Sequence, residues 1–447
     1  MKSNFLKSCL LGGVLLWLAG PALGGDSGTG HETGRDVSVR GANALSIDAL
    51  IGYALNKNPE ILAAKAEWLA AKKRIWTDSA LSDPMAGLDI MGSMVETRTG
   101  PQDHRFAVSQ DIPFPLKLVA KGKIAAAQAR AAYQKYRAVQ RDVVSNLKKF
   151  YYELYYLDAS IQTLEETKEL LKKIEAVAQA RYSNLSGSQR DVAKAQAEIS
   201  MSLEKLYMLK QQRETVVAMI HALLDEDPMS GIGPAKLPPV PELKLPLVDL
   251  VNLAVQNRQE IKEAKEIVAK SGYAKRLAQL AYIPDLNAGF EYTWLKKGET
   301  TDPMDGRDSW MFPLRFTVPL WQNRIIPEIL EAKNEEEASR AKLLRAKNAA
   351  FYEVKDAYYR FDAATKIARL YETAVIPQAE IALKSDQAGY EANKTDFLNL
   401  LDSERVYLNA QLSKIRFLTE GLKAYVDLVR STGADFETDG GQKAKES

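Results

Sequence analysis

Hydrophobic positions in this chain follow two rhythms, and each rhythm occurs twice. From Tyr136 an apolar seam runs through Val139, Val143, Leu147, Phe150, Leu154, Leu157, Ile161, Leu164, Leu171, Ala178 and Tyr182, with Lys168 and Glu175 interrupting near the end. Steps of three and four place these side chains on one stripe of an α-helix, so the pattern is a coiled-coil seam. No Pro or Gly breaks residues 124–182, which predicts a single helix of roughly 60 residues and about 90 Å. Phe351, Val354, Tyr358, Phe361, Thr365 and Ala368 repeat the rhythm, and Pro377 predicts a kink in that second helix.

Each long helix turns back through a polar hairpin, Arg181-Tyr182-Ser183-Asn184-Leu185-Ser186-Gly187-Ser188 and Gly389-Tyr390-Glu391-Ala392-Asn393-Lys394-Thr395. Gly187 and Asn393 are residue types that accept the left-handed conformation of a helix end. Ser188 and Thr395 are the expected N-caps of return helices running to about residues 225 and 429. The aromatic run Phe150-Tyr151-Tyr152 with Tyr155-Tyr156 reads as packing between helices.

The second rhythm has period two. Leu286, Ala288, Phe290, Tyr292 and Trp294 alternate with Asn287, Gly289, Glu291 and Thr293, and Trp310, Phe312, Leu314, Phe316, Val318 and Leu320 alternate with Met311, Pro313, Arg315 and Thr317. In the first copy Leu88, Ile90 and Met94 alternate with Asp89, Met91 and Ser93, and Phe106, Val108, Gln110 and Ile112 follow a polar loop. Two strand pairs are predicted.

In order, the patterns read helix, two strands, long helix and return helix, written twice. Leu45, Leu50, Ala54, Glu60, Ile61 and Ala64 recur as Leu245, Leu250, Ala254, Glu260, Ile261 and Ala264, and Pro84 recurs as Pro284. A period of about 200 residues exceeds any ordinary solenoid repeat and predicts a duplicated structural half. The expected organisation is a first repeat at 45–227, a Pro-rich connector at 228–246 and a second repeat at 247–431. Residues 25–44 are expected to be flexible and 432–447 a disordered polar tail.

Residues 1–24 read as an export signal: Lys2 and Lys7, an apolar run at 9–19, then Pro21-Ala22-Leu23-Gly24. Cys9, the one cysteine, lies inside that run and precedes most of it, so neither a disulfide nor a lipid anchor is expected in the mature protein. No later run of 18 apolar residues exists, so strands must carry any membrane crossing. Alternation alone fits a sheet on a soluble core, but the export signal and the lack of globular helix content favour a barrel wall ringed by Trp and Tyr. Four strands are too few to close a barrel, for which about eight is the small limit. Subunits must therefore pool their strands.

Charge excludes rather than identifies. Lys plus Arg (60) nearly balances Asp plus Glu (58), so no basic footprint for nucleic acid is visible. The three histidines, His31, His104 and His221, fall in separate predicted regions. No metal site, cofactor or catalytic cluster is expected from such spacing, and no enzyme.

Four motifs now bear on family: Gln110-Asp111-Ile112-Pro113-Phe114-Pro115, Val318-Pro319-Leu320-Trp321, Tyr282-Ile283-Pro284-Asp285-Leu286, and Gly389-Tyr390 through Thr395-Asp396-Phe397-Leu398-Asn399-Leu400-Leu401-Asp402. With them the chain resembles the TolC-like outer-membrane efflux factors over about residues 45–430. Within that family it is nearest to members serving heavy-metal, cation and multidrug pumps. The resemblance implies a mainly α fold with a membrane β-barrel portion: a homotrimer with a twelve-stranded β-barrel in the outer membrane, continued by a twelve-helix α-barrel across the periplasm. Its implied partners are outer-membrane lipid, a periplasmic adaptor and an inner-membrane transporter.

The family's constriction pattern maps unevenly. Tyr390 matches its tyrosine and Asp402 its second aspartate, whereas Asn393, Thr395 and Asn399 stand where the family has glycine, arginine and the first aspartate. Tyr390, Asn399 and Asp402 are therefore the constriction candidates the resemblance implies; Asp402 is also compatible with an ordinary solvated helix position. Arg181, Ser188, Asp191, Lys394 and Asp396 are candidate adaptor contacts, or plain turn and cap residues. The alternative function is a periplasmic coiled-coil adaptor or scaffold, which would share the export signal and the helical hairpins but not two copies of aromatic strands.

Overall fold

The computed structural model describes residues 46–93, 95–243, 245–298 and 303–434. The predicted export signal and leading segment lie outside these residues. Two short helices, α1 (Ile47–Lys57) and α2 (Pro59–Ser79), precede strands β1 (Met85–Ile90) and β2 (Gln102–Ile112), then the long α3 (Pro115–Ser183) and its return α4 (Gln189–Leu224). The same order follows the connector: α5 (Leu247–Asn257), α6 (Gln259–Gln279), β3 (Leu286–Leu295), β4 (Ser309–Met311), β5 (Leu314–Phe316), α7 (Gln322–Leu370), α8 (Ile376–Glu391) and α9 (Phe397–Thr432).

The opening helix predicted for each copy is two helices. Pro59 has no N–H to continue α1, and Asn58 caps α2 by accepting from the Ile61 N–H (3.1 Å) while its amide donates to the Leu223 carbonyl (2.9 Å). In the second copy the break falls at the buried, extended Arg258, which pairs with Glu260 (3.1 Å) and Glu353 (2.7 Å).

At 69 residues, α3 is about 100 Å long at 1.5 Å per residue. Pro115 opens it, where a missing N–H costs nothing. Its first half buries Ala120, Ala125, Ala127, Ala129 and Ala131, small side chains that let α2 and α6 pack close on either side. Lower down, Val143, Leu147, Leu154, Leu157, Leu164, Leu171 and Ala178 of the predicted seam, with Ile174 beside them, are buried against α4 and α9. Each such leucine contributes roughly 1.5–3 kcal/mol of burial. Tyr182, the predicted end of the seam, is exposed.

The kink expected at Pro377 is a π-helical turn, Tyr371–Val375, just before it. Ile376 donates its N–H to the carbonyl of Tyr371, five residues back, so the helix widens one turn ahead of the proline that has no N–H to give.

All strands belong to one antiparallel sheet in the order β1-β2-β3, with β4 and β5 both on the far side of β3. The fourth predicted strand, 310–320, is therefore two short pieces ending at Phe316. Pro313 cannot donate to the ladder, and its carbonyl accepts from Gly289 (2.9 Å). A Cβ at Gly289 would come within 3.0 Å of the Val108 carbonyl oxygen and 3.2 Å of the Pro313 ring, so a side chain there would make its neighbours shift. β1 likewise ends at Ile90, short of Met94, which lies outside the described residues.

Register lines up Leu88, Phe106, Tyr292 and Trp310 across one face. On the other face Arg105 bonds Asp89 (2.8 Å) and pairs with Glu291 (3.7 Å), and Arg315 pairs with Glu291 (3.2 Å). The apolar face is exposed at its edges, at Leu88, Ile90, Trp310 and Phe312, and half-buried along β2 and β3.

Two nodes tie these parts together. At the sheet-to-helix junction, Asp285 accepts from the Phe114 N–H (2.8 Å) and from Lys117 (2.9 Å) and pairs through its backbone and Thr317 with the last strand. Midway along the helices, Tyr151 donates to the Lys236 carbonyl (3.1 Å) and accepts from its N–H (2.9 Å). Tyr151 thus anchors the connector as well as packing between helices. Asp158 accepts from the Ala235 N–H, so two successive connector residues are bound to α3.

The last helix runs to Thr432, the first residue assigned to the polar tail. Ser431 and Thr432 are buried in the last turn of α9, and Gly433 ends the helix at φ 70. Residues from 435 onward lie outside those described.

Candidate functional site

Both hairpins close with the same bonds. Asn184, Leu185 and Ser186 donate to Ala180 (3.1 Å), Tyr182 (3.1 Å) and Arg181 (2.9 Å); Ala392, Asn393 and Lys394 donate to Ala388 (3.0 Å), Tyr390 (3.1 Å) and Gly389 (2.7 Å). The left-handed residues are Leu185 (φ 59) and Asn393 (φ 64), so Asn393 fills the predicted role while Gly187 does not.

Gly187 serves a steric purpose instead, since a Cβ there would meet the Arg181 Cβ at 2.9 Å. In the second hairpin the sizes are exchanged. Gly389 occupies the position of Arg181, and a Cβ on it would meet the Thr395 Oγ at 2.3 Å. Each turn has room for one side chain at this crossing. Thr395 is consequently not the N-cap of α9; that position belongs to Asp396, whose side chain makes no capping bond. Ser188 does cap α4, accepting from the Arg190 N–H (3.2 Å).

Leu171, Ile174 and Ala178 from α3, Val192 and Ala195 from α4, and Leu383, Tyr390, Phe397, Leu400 and Leu401 from the second hairpin form one shared core. Arg181 crosses from the first hairpin onto the second. Its guanidinium lies 4.3 Å from the Tyr390 ring centre and donates to the Tyr390 carbonyl, to the Asn393 side-chain oxygen and to the Ser186 carbonyl (3.2 Å). Tyr390, 3% exposed, packs 5.4 Å from Phe397, and its hydroxyl has no partner among the described residues. Burial pushes the Tyr390 phenol up; Asp191 and Asp396 add to this and Arg181 opposes it.

The predicted site residues therefore divide. Asn399 and Asp402 sit together on the uncovered face of α9, three residues apart, whereas Tyr390 lies between the hairpins. Ser188, Lys394 and Asp396 are exposed at the tips, but Asp191 is buried and Arg181 is engaged within the chain.

Sequence reasoning passed over Glu404, buried on α9, and the pairs Arg405–Glu198 and Ser403–Asp386 that tie α9 to α4 and α8. The spacing Leu400, Leu401, Glu404, Leu408 carried the signal, because it puts an acid on the apolar stripe. Among the described residues no group of three or more His, Cys, Asp or Glu is placed to hold a metal. No helix of these residues is long and apolar enough to cross a membrane.

A sheet with an apolar face exposed at its edges, continued by a helix about 100 Å long and its shorter return, is the design of an outer-membrane channel subunit. The outer membrane efflux protein family model matches residues 50–225 and 250–434, and the chain belongs to that family. It is 21% identical over 420 residues to the pyoverdine export outer membrane protein OpmQ of Pseudomonas putida, covering 88% of this chain and 87% of OpmQ. Its fold is similar to the outer-membrane channel OprN (TM-score 0.76, 18% identity, 87% of this chain and 90% of OprN). The outer membrane protein VceC of Vibrio cholerae is similar too (TM-score 0.74, 19% identity, 87% and 96%). The protein is an outer-membrane efflux channel, and the adaptor alternative falls away.

Proposed function

We propose that three copies of this chain form the exit duct of a tripartite efflux system, pooling their strands into a twelve-stranded barrel and their helices into a periplasmic tunnel. The observation that carries this reading is the sheet itself. Its edges, β1 and the β4–β5 pieces, are exposed, and the apolar side chains of β2 and β3 between them are only half-buried. An open edge and a partly bare apolar face are stable only when paired and covered, here by neighbouring copies and by outer-membrane lipid.

Passage is controlled at the second hairpin, where Asn399 and Asp402 from three subunits form the constriction while Tyr390 and Arg181 hold the hairpins closed behind it. Ser188, Lys394 and Asp396 are the tip residues a periplasmic adaptor contacts on its way to the inner-membrane pump. A heat-modifiable trimer that requires detergent supports the duct; a monomer soluble without detergent refutes it. Asp402→Ala should raise single-channel conductance or relieve cation block in a planar bilayer, because it removes a ring of like charges. Unchanged conduction would take Asp402 out of the constriction.

A further inference from the structure

We propose that Glu404 is a proton-binding site that sets how tightly the second hairpin is held to the first, with the protonated form favouring the closed packing. The consequence for conduction rests on the gate reading given above; the site itself does not. Three observations converge on it.

Glu404 is 2% exposed, and its Oε1 has no hydrogen-bond partner among the described residues. Its position interrupts the apolar face of α9 between Leu401, in the tip core, and Leu408, which packs with Leu164 and Leu206. At the same level the neighbouring helices are polar as well: Thr167 lies between Leu164 and Leu171 on α3, and Glu198 and Ser202 lie between Ala195 and Leu206 on α4, all buried. A polar layer therefore separates two apolar clusters at the height where the hairpins meet. In the first hairpin the residue eight positions past the cap is the exposed Gln196, which donates to Glu175 (2.9 Å), so a buried acid at this position is found in the second hairpin and not in the first.

The charged groups of the surrounding helices are otherwise occupied. Lys168 on α3 pairs with Glu169, Glu198 on α4 with Arg405, and Asp386 on α8 accepts from Ser403. Among the described residues, Lys205 on α4 is the charge that acts on the Glu404 carboxyl. Burial raises that carboxyl to about 7, against the pull of Lys205. A neutral acid tolerates an unpartnered oxygen here far better than a carboxylate does.

The sign follows from comparing packed and separated hairpins. In the separated state Glu404 meets water and titrates at an ordinary value of about 4.3. Closed packing therefore has its full advantage below that pH, loses it progressively as pH rises, and has lost all of it above about 7. Within the window the open-to-closed ratio rises by up to about tenfold per pH unit for each subunit.

The experiment uses the purified full-length protein in detergent and compares it with Glu404→Gln. Infrared difference titration should find a carboxyl titrating near neutrality in the native protein and not in the variant. Hydrogen exchange over residues 389–408, corrected for the intrinsic pH dependence, should quicken with pH in the native protein and stay level in Glu404→Gln. Glu404→Leu, which fills the site without a polar atom, should be level and slower. The same pH dependence in native and Gln proteins, or no carboxyl titrating near neutrality, overturns the proposal. Exchange that follows pH while single-channel conductance does not would leave the proton site standing and refute the gate reading.

Discussion

Replacing Arg181 with alanine tests whether the two hairpins are held together by this one side chain. The guanidinium makes three hydrogen bonds, two of them to the second hairpin, and lies over the Tyr390 ring at 4.3 Å. At a partly exposed site each bond contributes about 0.5–1 kcal/mol net, and the cation–π contact about 0.5–1 kcal/mol. The sum after solvent screening is about 2–3 kcal/mol, or roughly 30–150-fold in the local opening equilibrium. Hydrogen exchange resolves where that energy acts. If Arg181 joins the hairpins, exchange at residues 389–395 accelerates although the substitution lies about 210 residues away in the chain. Acceleration confined to residues 180–187 would mean that Arg181 only closes its own helix, and the cross-hairpin reasoning would be wrong. Arg181→Lys should recover only part of the effect, since an ammonium cannot serve the same acceptors and stack on the ring together.

Two further perturbations follow from the geometry. Gly389→Ala should destabilise the second hairpin by about 1–3 kcal/mol through the clash with Thr395, and Thr395→Gly should restore it by reproducing the size arrangement of the first hairpin; a double variant no more heat-stable than the single would contradict this. Asp285→Asn should weaken the sheet-to-helix junction. Partial burial pushes the Asp285 carboxyl up, but the bonds from Lys117 and Phe114 and the charges of Lys117 and Lys121 outweigh it, so the net direction is down. A depressed carboxylate stabilises above its ordinary pKa of about 3.9 and loses that contribution as pH falls. The difference in melting temperature between native and Asn proteins should therefore shrink toward pH ~3; a difference independent of pH would assign the effect to shape alone.

Long periodic elements were legible from residue order. The α3 seam, the two hairpins and the strand alternation all appear where the spacing of apolar residues put them, because a period of 3.6 or 2 sustained over many residues admits few alternative structures. Boundaries depended on local exceptions: the helix breaks at Asn58 and Arg258, the split of the last strand at Pro313, and the late end of α9. Leu185 takes the left-handed position although glycine stands two residues on, because Gly187 is needed where Arg181 passes. No local propensity reports a contact of that kind.

The candidate site was legible as a region and not as a set of roles. Tyr390 and Asp402 were singled out together, yet one faces the shared core and the other the uncovered side of α9. Arg181, expected as an adaptor contact or a plain turn residue, bonds from the first hairpin to the second.

By itself, residue order determined the helices, the strands, their succession and the family motifs, since each is written in spacing along the chain. Only the tertiary structure decided which faces those elements share. It alone brought Arg181 onto Tyr390, set Thr167 and Ser202 at the level of Glu404, and left Asn399 and Asp402 bare. Burial and pairing across about 200 residues depend on how helices pack, and a periodic stripe specifies that a face is covered without specifying by what.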